Sequence, residues 1–301
     1  MKIRTRHVLL SATIAFAALA SRVSAVTDAE AATGRALLKQ YADSIVSVEV
    51  VATLKVTVND HAMPPRENKA EENGTVISPT GLTVTVLSGI DPHETMAAMI
   101  NANRGLSSQK IELGETEFKD VKLRLANNTE VPGVIVLKDP DLNLVFIAPL
   151  NDATAKPRTF SYVSLDKSTT GEILGNFYYV NRAPKNLQRV PMIRLTSVVG
   201  IVEKPRRMYL LSDLNPGVTV YDASGLVLGL AAPYLENGRP GGRIVVLTAA
   251  DVADLATQAA AVKPEDVEEK QEGPASDETP AVPAVQPPAV QPPAAQPPGK
   301  D

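Results

Sequence analysis

Short segments rich in β-branched residues follow one another along most of the chain, with turn-forming residues between them. Many alternate apolar and polar side chains, and Gly, Pro, Asn or Asp bounds each of them, which is typical of strands that present one face to a core. So many strands without intervening helices predict an all-β barrel or sandwich. The predicted strands cover residues 45–51, 54–58, 75–78, 82–87, 121–125, 134–138, 144–148, 177–180, 192–195, 198–202, 208–211, 218–221, 226–230 and 244–247.

Helical spacing is confined to the two ends of this strand region. Residues 29–44 contain helix formers, with Leu37 and Tyr41 on one face, and predict a short N-terminal helix. Residues 251–262 are Ala-rich and predict a closing helix that packs on the strands. Residues 59–73 are polar and contain two adjacent prolines, so we expect a mobile loop there.

The N-terminus has the features of a secretory signal peptide. Basic residues precede an apolar run at residues 8–20, and residues 23–25 read VSA, as a signal peptidase requires. A transmembrane helix needs about 20 apolar residues, which is more than this run provides. We therefore expect residues 1–25 to be removed on export, leaving a periplasmic or extracellular protein without a membrane span.

Residues 263–301 differ sharply in composition from the rest. They are rich in proline and acidic residues, and residues 283–297 form the repeat PAVQP PAVQP PAAQP. Such a composition buries too little apolar surface to offset chain entropy, and consecutive prolines favour polyproline II. We predict a disordered tail that is a spacer, a solubilising appendage or a ligand for a proline-binding or cell-wall partner.

The intervening residues 30–262 are enough for a domain with its own core. Because the chain has no cysteine, disulfides, thiolate zinc sites, iron–sulfur clusters and cysteine nucleophiles are excluded. The formal net charge is −4, and no concentrated basic segment is visible. Nucleic acid is therefore not an expected partner, since its phosphates require a basic face.

Four blocks of the strand region have more specific spacing. Residues 73–89 read NGTVISPTGLTVTVLSG, and residues 121–147 read VKLRLANNTEVPGVIVLKDPDLNLVFI. Residues 195–202 read LTSVVGIV, and residues 215–230 read NPGVTVYDASGLVLGL. In this order the blocks resemble segments of trypsin-like proteases of the HtrA/Deg type. Those segments carry the catalytic histidine, the catalytic aspartate, a V-T-x-G-I-V strand and the nucleophilic serine.

The resemblance implies a trypsin-like fold, with antiparallel β-barrels at about residues 45–150 and 158–248. Proteins of this family commonly carry a PDZ domain after the protease unit, and we expect none here because residues 263–301 are too few for one. The aligned blocks place Ser88 at the family's histidine, Asn143 at its aspartate and Pro216 at its serine. The family's chemistry needs an imidazole base, a carboxylate to orient it and backbone N–H groups for the oxyanion. Proline has neither a hydroxyl nor an N–H group, so the resemblance implies a degenerate, inactive triad.

Two other arrangements could supply a nucleophile or a base. Ser224 follows Asp222 and precedes a glycine, which resembles a nucleophile motif but is also the composition of a β-turn. His93 lies five residues beyond Ser88 and beside Glu94. With a nearby serine it could form a relocated site, although such a histidine more often decorates a loop. His61 lies in the polar loop.

We expect no cofactor and no metal ion. Two isolated histidines with scattered acidic residues make a poor transition-metal site. Asp139 and Asp141 flank a proline and are expected to form a turn rather than a weak calcium site. Residues 238–242 read GRPGG and precede a predicted strand instead of a helix, so they predict a turn and not a phosphate loop.

The leading hypothesis is an exported, non-catalytic trypsin-like module of the cell envelope that binds protein segments. In this fold, extended peptides add to a strand edge in the cleft between the barrels, and that edge can persist after the triad is lost. Two alternatives remain open. One is a protease-like enzyme with a relocated site at His93, and the other is a structural envelope protein anchored by its proline-rich tail.

Overall fold

The computed structural model describes residues 26–103, 109–150, 158–236 and 239–271. The predicted signal peptide and the tail beyond Gln271 lie outside the described residues. Within these ranges, no helix combines the length and the apolar character needed to cross a membrane.

Six antiparallel strands close into a first barrel, and a short seventh strand extends it. The strands are β1 (Ile45–Val58), β2 (His61–Ala62), β3 (Arg66–Val76), β4 (Thr83–Val86), β5 (Ile111–Arg124), β6 (Glu130–Asp139) and β7 (Leu144–Pro149). The barrel order is β1-β3-β4-β7-β6-β5, and the pairing of β5 with β1 closes it, while β2 pairs with the end of β1. Alternate side chains, such as Val46, Val48 and Val50, fill its interior.

The second half of the fold is another closed antiparallel barrel. Its strands are β8 (Asn176–Arg182), β9 (Pro191–Val202), β10 (Met208–Leu211), β11 (Thr219–Tyr221), β12 (Val227–Glu236) and β13 (Arg239–Thr248), in the order β10-β13-β12-β11-β8-β9. Tyr179 and Tyr209 are fully buried inside it. The two closed barrels confirm the predicted all-β, trypsin-like double barrel.

Helices flank the barrels where the sequence predicts them. The first, α1 (Asp28–Tyr41), begins with a capping box between Thr27 and Glu30, which satisfies two otherwise unpaired N–H groups. Helices α2 (Leu87–Ile90) and α3 (Pro92–Ala102) lie between β4 and β5 of the first barrel in the chain. The closing helix α4 (Ala249–Ala260) is followed by α5 (Pro264–Gln271).

The prediction that no helix interrupts the strands is wrong after β4. Asp91 caps α3 by accepting the N–H of His93 at 2.9 Å, and Pro92 occupies the first turn, where its missing N–H costs nothing. His93 therefore lies in the first turn of a helix and does not decorate a loop.

The expected mobile loop at residues 59–73 is instead a hairpin. Asn59 and Asp60 both have positive φ, 50° and 63°, which gives the turn that joins twisted antiparallel strands. Pairing of β3 with β1 then continues from Arg66 to Thr75. The polar residues that suggested a loop lie mostly on the exposed part of this ribbon.

The segment predicted to be disordered from residue 263 begins with an ordered helix. Helix α5 has Glu265 and Asp266 in its first turn, where carboxylates favour the helix dipole. Val267 packs against the apolar cluster that joins the two barrels. Val267 thus packs α5, whose other residues are mostly polar, against the barrels.

The barrels meet through that apolar cluster and through a buried arginine. Val84 and Phe146 of the first barrel share the cluster with Leu230 and Leu247 of the second. Arg182 is only 7% exposed, and burial lowers the pKa of its guanidinium. The guanidinium donates to three carbonyl oxygens, those of Ile45, Ala42 and Arg189.

Replacing this guanidinium is expected to destabilise the protein. Arg182→Met leaves three carbonyl groups without their donor and should cost about 3 kcal/mol of the free energy of unfolding. The matched control is Arg194→Met, because Arg194 is half-exposed and pairs with Asp213 at 2.7 Å, a surface ion pair worth less than about 1 kcal/mol. Urea denaturation measures both, and equal losses would contradict the assignment.

Candidate functional site

Ser88 and Asn143, which the sequence aligns with the family's histidine and aspartate, lie in direct contact. The Nδ2 of Asn143 donates to the Oγ of Ser88 at 2.8 Å, and the N–H of Ser88 donates to the Oδ1 of Asn143 at 2.8 Å. This pairing uses both ends of the amide. It joins the start of α2 to the turn before β7.

The backbone around Asn143 explains how the amide reaches this position. Asn143 has φ of 57°, in the left-handed region that Asn tolerates better than most residues. Its carbonyl accepts the N–H of Leu87 at 2.9 Å, and its side chain is buried. Nδ2 also lies 3.5 Å from the carbonyl oxygen of Pro233 in the second barrel. The amide therefore ties the two barrels together as well.

Pro216, aligned with the family's serine, lies at the start of a tight contact between the barrels. The next residue, Gly217, has φ of 74°, and a Cβ added there would lie 2.3 Å from the carbonyl oxygen of Asn73 and 3.2 Å from Oγ1 of Thr85. Within the described residues, Pro216 forms no hydrogen bond with Ser88 or Asn143. Thus the structure brings two of the three aligned residues into contact and holds the third beside Gly217.

A buried carboxyl group that the sequence analysis missed lies against Gly89 of α2. Glu72 of β3 packs against Gly89, since a Cβ added to that glycine would lie 2.6 Å from Cγ and 2.9 Å from Oε1 of Glu72. Burial, with a smaller contribution from Glu71, raises the pKa of Glu72 to about 7. Glu72 pairs with Val48 of β1 and faces the same, buried side of the sheet. The alternation of side chains would have indicated this position if residues 66–76 had been predicted to form a strand.

Ser224 forms the turn between β11 and β12. Asp222 accepts the N–H and hydroxyl of Ser224 at 2.8 and 2.6 Å and the N–H of Leu226 at 2.9 Å. Gly225 has φ of 86°, as such a turn requires. The Ser224 hydroxyl is thus engaged with a turn carboxylate and with no imidazole.

The surroundings of His93 contain acids, a lysine and a threonine. Its Nδ1 lies 3.4 Å from Oε1 of Glu94, and the described residues that line the adjacent cavity include Asp91, Thr116 and Lys138 but no serine. His61 lies in β2, the short strand that pairs with the end of β1, and its Nδ1 lies 2.8 Å from the carbonyl oxygen of Asn59. Asp139 accepts the N–H of Leu142 at 2.7 Å within its turn.

The edge of β12 that faces the first barrel offers few free groups to a peptide. Ala231 donates its N–H to Val218 and accepts the N–H of Gly217. Two residues on, Pro233 has no N–H group, and its carbonyl oxygen lies within reach of Asn143. A peptide that adds to a strand needs alternate free N–H and C=O groups. At Ala231 both groups are already bonded within the barrel, and Pro233 has no N–H to offer.

A second edge, on β5, is open. Within the described residues β6 pairs with β5 only at Lys122, Leu123 and Arg124, whereas β1 pairs with β5 along nearly its whole length. Two adjoining cavities of about 550 and 580 Å³ follow the unpaired edge from Leu113 to Val121 and share Thr116 and Lys138. We call this edge and its cavities the β5 groove.

The β5 groove has a mixed lining, with Glu115, Glu117, Lys119 and Asp120 along β5, and a cation–π contact joins β5 to β6. The Nζ of Lys138 lies 4.2 Å from the centre of the Phe118 ring, and burial lowers the pKa of Lys138. Val134, Ile135 and Leu150 line the opposite wall. The groove therefore combines a strand edge that β6 leaves unpaired with one apolar wall and one charged side, and a strand-addition site needs such an edge.

Fold and site together define a trypsin-like double barrel whose centre holds an amide–hydroxyl pair. No protein-family model matches the chain, and no curated protein matches it. Solved structures similar to it include Deg5, with 15% identity, a TM-score of 0.47 and coverage of 76% of this chain and 94% of Deg5.

Two further similar structures carry protease names. The MamO protease domain from Magnetospirillum magneticum is 11% identical, with a TM-score of 0.42 and coverage of 72% of this chain and 97% of that one. The HtrA-type protease AlgW, with a tripeptide, is 10% identical, with a TM-score of 0.46 and coverage of 74% of this chain and 62% of that one.

The contact at Gly217 predicts a large difference between two glycine substitutions. Gly242 also has positive φ, 71°, but a Cβ there meets nothing within 4 Å. Gly242→Ala should therefore cost only the left-handed backbone, about 1 kcal/mol. Gly217→Ala adds the clash with Asn73 and should cost about 3 kcal/mol more. Thermal unfolding of both variants measures the difference, and similar losses would refute the close contact.

Glu72 predicts a pH-dependent stability of definite sign. Its pKa rises from 4.5 to about 7 on folding, so the folded state holds the proton more tightly and stability falls as pH rises from about 4.5 to 7. Glu72→Gln should remove that fall. Glu67→Gln, at a half-exposed site on the same strand, is the control and should retain it. Urea denaturation from pH 4 to 8 gives the slopes, and parallel slopes for all three proteins would contradict the prediction.

Proposed function

We propose that this protein is an exported, non-catalytic trypsin-like module that binds extended protein segments in the cell envelope. The observation that carries the proposal is the reciprocal hydrogen bonding of Ser88 and Asn143. Neither an amide nor a hydroxyl accepts a proton at neutral pH. A centre built from them cannot activate a nucleophile in the way that an imidazole and a carboxylate do.

The position aligned with the nucleophile supports the same proposal. Pro216 has no hydroxyl to attack a carbonyl and no N–H to help hold an oxyanion. The two alternative hydroxyl sites lack a base: Ser224 is held by Asp222 in a turn, and the cavity beside His93 has no serine among its described lining residues. Export is supported by the signal-like residues 1–25.

The binding part of the proposal rests on strand edges. The β12 edge in the cleft is largely used by Gly217, Val218 and Asn143. The β5 groove retains unpaired backbone along the length of about eight residues of extended peptide. We therefore place the binding of extended segments at the β5 groove and not in the cleft between the barrels.

The full chain is expected to be inert toward a fluorophosphonate probe and to bind casein, an extended protein, without cleaving it. Intact-mass spectrometry after probe treatment should show no adduct, while an active serine protease in the same buffer is fully labelled. Casein should protect β5 amides from hydrogen exchange and remain intact on gels.

Three results would contradict this proposal. A phosphonyl adduct that disappears in Ser88→Ala or Ser224→Ala would show a working nucleophile. Casein cleavage that is lost in His93→Ala would establish a relocated site. Casein that leaves every β5 amide unprotected would remove the binding function.

A further inference from the structure

The β5 groove lies near α5, the helix with which the described part of the chain ends. Val267 of α5 packs on the same apolar cluster as Val134 and Leu150, and those two residues also line the groove. Helix α5 ends at Gln271, and residues 272–301 follow it. The C-terminal segment therefore starts next to the groove.

The sequence after Gln271 contains a segment suited to a strand edge. Residues 279–299 carry no charge, so their burial costs no ion desolvation. In Ala281–Gln286, which reads AVPAVQ, Val282, Ala284 and Gln286 have N–H groups at every second position. Pro283 falls between them, where a strand directs its backbone away from the partner, and proline is tolerated on such an outer edge.

We propose that the uncharged segment at residues 281–286, which includes the start of the repeat, docks in cis along the unpaired edge of β5 and is the groove's resident ligand. This inference rests on the proposed function in using the same groove, and it names the segment that fills it. The alternating N–H groups of Val282, Ala284 and Gln286 pair with the β5 backbone. The apolar side chains between the prolines cover Phe118 and Leu150.

Chain length and concentration both permit this docking. Nine residues separate Gln271 from Ala281 and span about 30 Å when extended, which equals the length of the groove at about 3.3 Å per residue. A tether of this length gives the segment an effective concentration of about 1 mM at the groove. A segment with weak intrinsic affinity then occupies the groove most of the time, and an incoming protein segment must displace it.

Proline substitutions in the full chain test the docking and its register. Val282→Pro with Ala284→Pro removes two N–H groups that face β5, whereas Ala281→Pro with Val285→Pro removes two that face away. Hydrogen exchange of the amides at residues 113–121 should be about tenfold faster in the first variant than in the native chain. The second variant should match the native chain.

Two outcomes overturn the proposal. Equal β5 exchange rates in all three proteins would show that the repeat does not dock. Protection that grows with protein concentration would assign the repeat to a second copy and not to the same chain.

Failure of the proposed function is distinguishable from both. The casein test uses the first variant, in which the repeat no longer protects the groove. If casein fails to protect β5 in that variant while the amides still respond to the prolines, binding of other proteins is refuted and docking of the repeat stands. If casein protects β5 equally in all three proteins and the prolines change nothing, the reverse holds.

Discussion

The backbone of Gly217 lies against the carbonyl oxygen of Asn73, and the relative position of the two barrels depends on this contact. The adjoining residues reinforce it: the side chain of Asn73 bonds both the N–H and the C=O of Arg182, and Thr75 bonds Thr219. These first-barrel contacts all come from two residues of β3, Asn73 and Thr75. Any side chain at Gly217 would separate the barrels there, because a backbone carbonyl cannot yield as a flexible side chain can.

The aligned residues Ser88 and Asn143 lie close to this contact along the chain of β4 and the turn that follows β6. Thr85, which also touches Gly217, lies on β4 just before Ser88, and Asn143 reaches across from the turn before β7 to bond Ser88. The scaffold thus holds two aligned positions at hydrogen-bond distance, as a triad requires. What occupies them is an amide and a hydroxyl that satisfy each other, and the amide also lies within hydrogen-bond distance of Pro233 in the second barrel.

Much of this arrangement could be predicted from the sequence, because alternation and turn residues carry it. The double barrel follows from four blocks in a recognisable order, and the flanking helices follow from helical spacing at the two ends of the strand region. The N-terminal half of β5 could not be predicted, because its pairing with β1 shifts register twice and each shift changes the phase of apolar residues. The hairpin at Asn59 and Asp60 was hidden by its exposed polar strand, whose register depends on a partner and not on local propensity.

The missed half of β5 is also the part whose outer edge β6 leaves unpaired within the described residues. A strand that pairs on one side alone leaves backbone groups that attract another chain unless something covers them. An uncharged, proline-interrupted repeat follows α5 in the sequence.

Whether the centre is inactive is tested directly by turnover on a diverse synthetic peptide mixture, followed by mass spectrometry over many hours with the full chain at high concentration. An inactive centre leaves the same peptides as in a protein-free sample, with no time-dependent product. Cleavage that increases with time and protein, and that vanishes when Ser88 is replaced by alanine, would contradict it.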